Sequence, residues 1–424
     1  MSDMLYTFCT LIIFFQILTA IWNIIKIYLA YLKVKHNKKV VSNEKNNFKV
    51  VIIIPCLYEQ SIIIETIEYF IKLLKKYDNI ELAIITTEKE EYEYKKNNIK
   101  QKTTSELVLE YIEKNSSEKL KHFHYPNTDG MMADQLNYVV KKYNAKLNNK
   151  LYFSVYNADS RPNINTIEKV IEIIKDKKYP PIIQQYSYAF LNLDKISPLM
   201  QGFAVYQSNF EIKYGLINSI ITKRFLYTYV VGHGLYIRSD LLKELNGFDN
   251  HFWCEDIFLS SRLRNRNINI VPVLALENME TPKKLSILMK QNANWFRTSC
   301  QVFKILKANY REENKITLSL FFWLFQRVCM NIIWLFLPIF ESLSFLYSLY
   351  SHKFILMLFS ILSYLFMQFA NYLGTITIIE KLEQKKIKNK ILLIIFACIS
   401  TFISNIGPLY SILNFKMKKY KTER

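Results

Sequence analysis

Lys49-Val-Val-Ile-Ile-Ile-Pro55 is the strongest indication of the fold class in this sequence. It is a continuous apolar run of mostly β-branched residues that ends at a proline, which is typical of a buried parallel strand. Helical periodicity then alternates with short apolar runs: we predict helices at residues 61–76, 103–114 and 134–143, and further strands at 81–87 and 151–156. This βαβ alternation predicts an α/β fold with a mostly parallel sheet, flanking helices and ligands at the carboxyl ends of its strands.

Apolar stretches flank this α/β region on both sides. Each is long enough for the roughly 20 residues of a membrane-spanning helix; they lie at residues 5–32, 316–346, 354–379 and 391–415. The first reads as an anchor rather than a signal peptide, because Asp3 precedes it and no small-residue cleavage site follows. We therefore predict a transmembrane anchor at 1–32, a soluble domain at 33–315 with an interface helix near 283–310, a C-terminal transmembrane region at 316–415 and a basic tail at 416–424.

The distribution of lysines predicts the orientation in the membrane. Basic residues follow the first span directly, at Lys33, Lys35, Lys38 and Lys39. The positive-inside rule then predicts a multi-pass protein of the cell membrane with its soluble domain in the cytoplasm. Three C-terminal spans would export the basic tail, so we expect the last stretch to be broken, re-entrant or interfacial, because Asn405, Gly407 and Pro408 interrupt it.

The amino-acid composition indicates which kind of molecule the protein contacts. The 424 residues are 50% hydrophobic, and 56 Lys and Arg against 36 Asp and Glu give a net charge of +20. The basic runs lie beside apolar spans and carry no nucleic-acid-binding signature, so they favour contact with anionic lipid and exclude nucleic acid as the expected partner. Six scattered cysteines without any CxxC spacing predict reduced thiols, with neither zinc nor disulfides.

A candidate metal site follows the strand at 151–156. Asn157 and Asp159 lie in the turn beyond that strand. Oxygen ligands of this kind suit Mg²⁺ or Mn²⁺. The alternative is that both residues, with Ser160, only cap the turn and the helix after Pro162.

Two further clusters are candidates for binding and catalysis. Gly232-His233-Gly234 predicts close backbone approach, in a chain with only eight glycines, although a plain hairpin also explains it. Glu255 and Asp256 begin a predicted helix, where a carboxylate can act as a general base, or can simply interact favourably with the helix dipole.

Gln291, Trp295 and Arg297 lie in a predicted amphipathic helix beside the first C-terminal span. Tryptophan and arginine are common at membrane interfaces, and they also bind sugar rings by stacking and diphosphates by charge. The sequence leaves both interpretations open.

Five features follow one another before the C-terminal membrane spans: the strand at 51–55, Asn157-Ala-Asp159, Gly232-His-Gly234, Glu255-Asp256 and Gln291…Trp295. In this order they resemble a family 2 glycosyltransferase. The resemblance covers roughly residues 45–380 and is closest to the membrane-bound branch that contains cellulose and hyaluronan synthases. It implies a GT-A fold, transfer from a nucleotide sugar, with UDP as the expected nucleotide, and a glycan or lipid-linked acceptor.

The resemblance also implies roles for individual residues. Asp256 would be the catalytic base, Asp159 with Asn157 would hold Mg²⁺ or Mn²⁺, and Gly232, His233, Gly234, Glu255, Gln291, Trp295 and Arg297 would border the acceptor or the diphosphate. The nucleotide would contact residues of the first two strand ends and of the loop Gly130–Asn137: Pro55, Tyr58, Glu59, Glu88, Asp134 and Asn137.

Three charged positions of the family pattern are altered here. Asn157 replaces the first carboxylate of the usual Asp-x-Asp, Met132 replaces a lysine, and Asn294 replaces the arginine before Trp295. Arg297 would supply the missing positive charge. The leading hypothesis is an inverting transferase that extends a polysaccharide or glycolipid; the alternatives are transfer of a single sugar to a lipid carrier, and an inactive scaffold of a polysaccharide-assembly complex.

Overall fold

The computed structural model describes residues 2–35, 47–115, 117–143, 148–222 and 225–414. The predicted basic residues Lys38 and Lys39 and the predicted tail at 416–424 lie outside these ranges. Within them the strands are β1 Lys49–Pro55, β2 Ile80–Thr87, β3 Leu120–Tyr125, β4 Leu151–Val155, β5 Arg161–Pro162, β6 Ile182–Gln184, β7 Ser187–Tyr188, β8 Leu235–Arg238, β9 Val271–Pro272 and β10 Glu277–Asn278.

The α-helices alternate with these strands and then continue beyond them. They are α1 Ser2–Lys35, α2 Ile63–Leu74, α3 Glu88–Lys96, α4 Thr104–Lys114, α5 Met132–Lys142, α6 Thr166–Asp176, α7 Pro198–Phe210, α8 Asn218–Ile221, α9 Ser239–Glu244, α10 Glu255–Asn265, α11 Leu285–Ser299, α12 Val302–Glu313, α13 Leu318–Tyr350, α14 Phe354–Glu383, α15 Lys390–Phe402 and α16 Ile406–Leu413. A π-helical stretch, Glu211–Ile217, joins α7 to α8.

The main sheet confirms the predicted α/β fold. Within the described ranges seven strands lie in the order β3-β2-β1-β4-β8-β6-β9. The first four pair in parallel, and β8 is antiparallel to both β4 and β6. A smaller sheet, β5-β10-β7, lies beyond the carboxyl end of β4, because Arg161 and Pro162 of the post-β4 loop pair with β10.

The sheet is buried on both faces, which explains why β1 is apolar at every central position. Val50, Ile52 and Ile54 pack on α2 and α6, while Val51 and Ile53 pack on α5 and α9. All five are fully buried. Strand β3 was absent from the sequence prediction, because Leu120-Lys-His-Phe-His-Tyr125 is an edge strand with only Leu120 fully buried and lacks the apolar run that marks a central one.

Four helical segments at the two ends of the chain are long and apolar enough to cross a membrane: Asp3–Lys35, Leu318–Tyr350, Phe354–Glu383 and Lys390–Leu413. The last is interrupted, since α15 ends at Phe402 and α16 begins at Ile406. Helix α16 packs on α11, and the contact is close at Gly407, where an added Cβ would lie 2.5 Å from Asn292 Cβ. The predicted interface helix near 283–310 is two helices, α11 and α12.

Candidate functional site

The candidate metal ligands, the candidate base and four of the seven acceptor or diphosphate candidates line one cavity of about 690 Å³ beyond the carboxyl end of β4. The other three, Gly234, Glu255 and Arg297, are not among its lining residues. Asn157 and Asp159 enter it from the loop after β4, Gly232 and His233 from the segment before β8, and Asp256 from the first turn of α10. A Cβ built on Gly232 would lie 3.9 Å from Asp256 Oδ2. The structure therefore brings together three motifs that are spread over about 100 residues of the sequence, from Asn157 to Asp256.

The loop after β4 is a closed turn with a buried carboxylate. The Asn157 N–H donates to Ser160 Oγ at 2.9 Å, and the Ser160 N–H donates back to the Asn157 carbonyl at 3.1 Å. Asp159 lies inside this turn and is 5% exposed. The turn-capping interpretation is thus correct for Ser160, while Asp159 and Asn157 still offer oxygen atoms to the cavity.

His233 lies between two carboxylates that the sequence analysis did not select. Its Nδ1 is 3.2 Å from Glu277 Oε2 and its Nε2 is 3.5 Å from Glu211 Oε1. Burial alone would lower the pKa of His233, but the charges of Glu277 and Glu211 outweigh it and raise that pKa well above 6.5. The two carboxylates therefore favour the protonated form of His233, and its side chain joins the segment before β8 to β10 and to the π-helical stretch.

Glu277 also reaches the metal-site loop, because Ser160 Oγ donates to its other oxygen. The remaining oxygen of Glu211 accepts the backbone N–H of Ser187 at 2.7 Å. One buried network thus connects the loop of Asp159 with that of Gly232 and His233.

Gly234 confirms the expected close backbone approach. Its φ is +61°, and an added Cβ would lie 2.4 Å from the carbonyl oxygen of Gln185. An L side chain would be strained here and would collide with Gln185, the residue directly after β6, so only glycine allows the chain to enter β8 directly after His233.

Asp256 lies at the start of α10 as predicted, and its Oδ1 accepts the N–H of Ile257 at 2.7 Å. Its neighbour Cys254 is half-buried, and desolvation together with the charges of Asp256 and Glu255 raises the pKa of the Cys254 thiol to about 12. Arg327 of α13 lines the same cavity and donates to Tyr227 Oη at 2.6 Å. The cavity that Asp256 lines thus holds a guanidinium as well.

The α11 residues divide into two groups. Gln291 and Trp295 line the cavity, and Gln291 Oε1 accepts from Gln207 Nε2 at 3.3 Å. Arg297 points elsewhere: it donates to the Asn414 carbonyl at 2.9 Å and stacks over the Trp253 ring at 5.1 Å. These contacts attach α16 to α11, and they do not support the expected role of Arg297 at a diphosphate.

Other cations do line the cavity. Lys283 and Lys284 lie in the segment just before α11 and face it, as do Arg327 and Lys213. No motif marks these lysines in the sequence. Their position follows from the packing of the 279–284 segment over the cavity, a relationship that no local pattern encodes.

The candidate nucleotide contacts Tyr58 and Glu59 lie just after β1, in a turn that Glu90 organises. Tyr58 has a φ of +58°, a conformation that is uncommon for a side chain of this size. Glu90, 2% exposed, accepts the Tyr58 N–H at 2.8 Å, the Gln60 side chain at 2.6 Å and the Thr104 N–H at 2.6 Å. Thr104 Oγ1 in turn accepts the N–H of Glu59 at 3.0 Å, so this carboxylate fixes the whole turn after Pro55.

Three other predicted nucleotide contacts already have protein partners. Asp134 accepts the Met131 N–H at 2.7 Å and the Asn250 side chain at 2.7 Å. Asn137 donates to the Phe248 carbonyl and accepts the Phe248 N–H, both at 2.8 Å. These contacts hold the loop before α10 against α5, and nucleotide binding by both residues stays a prediction.

Glu88, the third, begins α3 and belongs to a separate cluster. Its carboxylate is 3.1 Å from His124 Nε2, and Glu91 Oε1 is 3.9 Å from the same nitrogen. The ligand atoms of the three residues lie within 4.8 Å of one another, which is close enough to hold a metal ion. Thr86 Oγ1 lies 2.9 Å from the other ring nitrogen of His124 and fixes the ring orientation.

Comparison with solved structures identifies the fold. The mannosyltransferase PcManGT from Pyrobaculum calidifontis, solved in complex with GDP-Man and Mn²⁺, matches with a TM-score of 0.54 over 97% of this chain and 99% of that one, at 10% identity. The fold is that of a glycosyltransferase. TarS 1-349 from S. aureus matches with a TM-score of 0.39 and 13% identity, over 80% of this chain and 93% of that one. No protein-family model and no curated protein sequence matches the chain.

Proposed function

We propose that the protein is a membrane-bound inverting glycosyltransferase that moves a sugar from a nucleotide sugar to a glycan or lipid-linked acceptor. The observation that carries the proposal is that Asp159, Asn157 and Asp256 all line one cavity. The similarity to a solved mannosyltransferase over nearly the whole chain supports it at the level of the fold.

Each residue has a chemical task in this proposal. Asp256 accepts the proton of the attacking hydroxyl as its oxygen bonds to the anomeric carbon. The bond from that carbon to the leaving phosphate oxygen breaks, and its electron pair leaves with the nucleotide diphosphate. Lys283 and Lys284, which line the cavity, stabilise the negative charge that develops there.

The donor set of the β4 loop fits a hard divalent cation. A carboxylate from Asp159 and an amide oxygen from Asn157 are the ligand types that Mg²⁺ and Mn²⁺ prefer. A bound cation would neutralise charge on the leaving diphosphate. Ser160, through its bond to Glu277, holds the turn that presents both ligands.

The structure also bears on the orientation of the chain in the membrane. The last apolar segment is interrupted after the 13 residues of α15, and α16 packs on α11, which lines the cavity. We infer from this interruption and packing that the segment does not cross the membrane as one straight helix. The basic residues Lys33 and Lys35 at the end of α1 support a catalytic domain on the cytoplasmic side.

Donor turnover tests the proposal. The purified protein is given a panel of UDP- and GDP-sugars with Mg²⁺ or Mn²⁺, and release of the nucleotide is measured for the native chain and for Asp256→Asn. We expect metal-dependent release from one donor and loss of transfer in the variant. Failure to release nucleotide from any donor, with acceptor membranes present, would favour the inactive scaffold.

A further inference from the structure

Two lysines are buried where the catalytic domain meets the apolar helices. Lys26 of α1 is 5% exposed and Lys213 of the π-helical stretch is 9% exposed. Their polar partners are neutral amides: Lys26 Nζ donates to Asn218 Oδ1 at 3.3 Å, and Lys213 Nζ donates to Asn371 Oδ1 at 3.2 Å. Asn371 is itself held by Asn23 of α1, at 2.8 Å.

No carboxylate balances the charge of this lysine pair, Lys26 and Lys213; the ring of Tyr214, with its centroid 6.0 Å from Lys26 Nζ and 4.9 Å from Lys213 Nζ, is their shared aromatic contact. Among the described residues, no carboxylate oxygen lies within 4.0 Å of either Nζ. Burial lowers the pKa of Lys213 to about 8, and no acidic neighbour opposes that effect. Buried charges are normally paired, because removing an ammonium from water without a counter-charge is costly. An anionic ligand would supply the missing partner.

The cavity reaches one member of this pair, Lys213. Lys213 and Asn371 line the same cavity as Asp159 and Asp256. Apolar side chains of the membrane-spanning candidates line it as well, through Phe15 of α1, Leu337 of α13 and Met367 of α14. One cavity therefore contains the candidate catalytic carboxylate, the buried ammonium group of Lys213 and an apolar wall.

We propose that the acceptor is a sugar linked through phosphate to a lipid, and that Lys213, supported by Lys26, binds that phosphate. The inference rests on the proposed function and identifies the substrate class of the same cavity. The acceptor hydroxyl lies at Asp256, the phosphate lies at Lys213, and the lipid chain extends between α1, α13 and α14. Transfer creates the bond from the acceptor oxygen to the anomeric carbon, moves the hydroxyl proton to Asp256 and releases the nucleotide diphosphate.

Direct binding tests this proposal without any turnover. The full-length protein in detergent is titrated with a farnesyl-diphosphate-linked hexose and with a farnesyl hexoside that lacks phosphate, and binding is followed by native mass spectrometry. Hydrogen bonds to charged groups predict about 10- to 100-fold tighter binding of the phosphate-bearing lipid. Lys213→Met should abolish that preference, whereas Lys33→Met should retain it, because Lys33 only caps the carbonyls of Ile220 and Ile221.

Several outcomes would overturn the proposal. Equal affinity for the two lipids, or an unchanged preference in Lys213→Met, would leave the lysine pair with a structural role only. Equally tight binding of phosphatidic acid or of inorganic phosphate would show a general anion site. Thermal unfolding distinguishes misfolding from lost binding, because removal of an uncompensated buried charge should not lower the unfolding temperature.

A second experiment uses the donor found in the turnover assay and compares the KM values of the phosphate-bearing lipid and the phosphate-free lipid. We expect the phosphate to lower KM in the native protein and not in Lys213→Met. If no donor is turned over, the proposed function fails, while the binding titration still decides whether the lysine pair recognises a lipid phosphate.

Discussion

Nδ1 of His233 lies 3.2 Å from Oε2 of Glu277, and this buried contact links the segment before β8 to the loop that carries Asp159. Both side chains are almost completely inaccessible, at 7% and 1% exposed. The metal-site candidate and the acceptor-site candidate therefore form one rigid unit through an ion pair between loops that are distant in the sequence.

Replacing Glu277 should destabilise this unit. Breaking a buried pair by removing one partner costs about 3–5 kcal/mol, since the remaining charge is left uncompensated. We expect Glu277→Gln to lower the thermal unfolding temperature clearly in detergent, while Glu118→Gln at an exposed position leaves it unchanged. A variant with native stability would show that the pair does not hold the two loops together.

The same pair predicts a pH dependence. The folded pKa of His233 is raised above that of the unfolded chain, which is about 6.5. The stabilisation is therefore fully present below about pH 6.5 and is lost as pH rises through the folded pKa. We expect the difference in unfolding temperature between the native protein and His233→Asn to be largest at acidic pH and to shrink towards alkaline pH; a difference independent of pH would contradict a charged His233.

Asp159→Asn should weaken cation binding more than folding. The substitution removes the only carboxylate of the proposed ligand pair but keeps the shape of the side chain. We expect at least a roughly tenfold weaker affinity for Mn²⁺ by calorimetric titration, because a charge-assisted contact contributes about 1.5–3 kcal/mol. His124→Asn is the matched comparison, since it disrupts the separate Glu88, Glu91 and His124 cluster. If only His124→Asn lowers Mn²⁺ affinity, the cation binds at that cluster instead.

Glu90→Gln should impair donor binding. The glutamine places an amide N–H₂ where Glu90 now accepts donors from Tyr58, Gln60 and Thr104. Leaving such buried groups unsatisfied costs about 1–3 kcal/mol. We expect KM for the donor to rise about tenfold or more with a smaller effect on kcat, and Glu113→Gln at an exposed position to behave as the native chain. An unchanged KM would show that this turn does not contact the donor.

Gly407→Ala should separate α16 from α11. Its new Cβ would lie 2.5 Å from Asn292 Cβ and 3.3 Å from the Met289 carbonyl. Overpacking of this kind costs about 1–3 kcal/mol, and the displaced α11 carries Gln291 and Trp295 of the cavity. We expect a lower unfolding temperature and a higher acceptor KM, and no effect from Leu413→Ala, which is 80% exposed. If the unfolding temperature and the acceptor KM of Gly407→Ala are unchanged, α16 does not determine the position of α11.

Local sequence patterns were sufficient to predict much of the fold. The apolar β-branched run of β1, the helical periodicity between strands and the long terminal apolar stretches each reflect burial of neighbouring residues, so the sequence alone predicts them. The interruption of the last apolar stretch at residues 403–405 also follows from local sequence, since Asn405, Gly407 and Pro408 disfavour a continuous helix. Strand β3 escaped prediction because an edge strand does not need apolar side chains on both faces.

Tertiary structure decided which further residues belong to the candidate site. Local sequence singled out Asp159 and Asp256, because the first follows a predicted strand and the second begins a predicted helix, and Gly234 was singled out by the spacing of two glycines. Glu277, Glu211 and Lys213 carry no local signal: their importance comes from the crossing of β10, the π-helical stretch and α14 around one cavity. Pairing of buried charges depends on distances between segments far apart in the chain, and only the folded structure determines those distances.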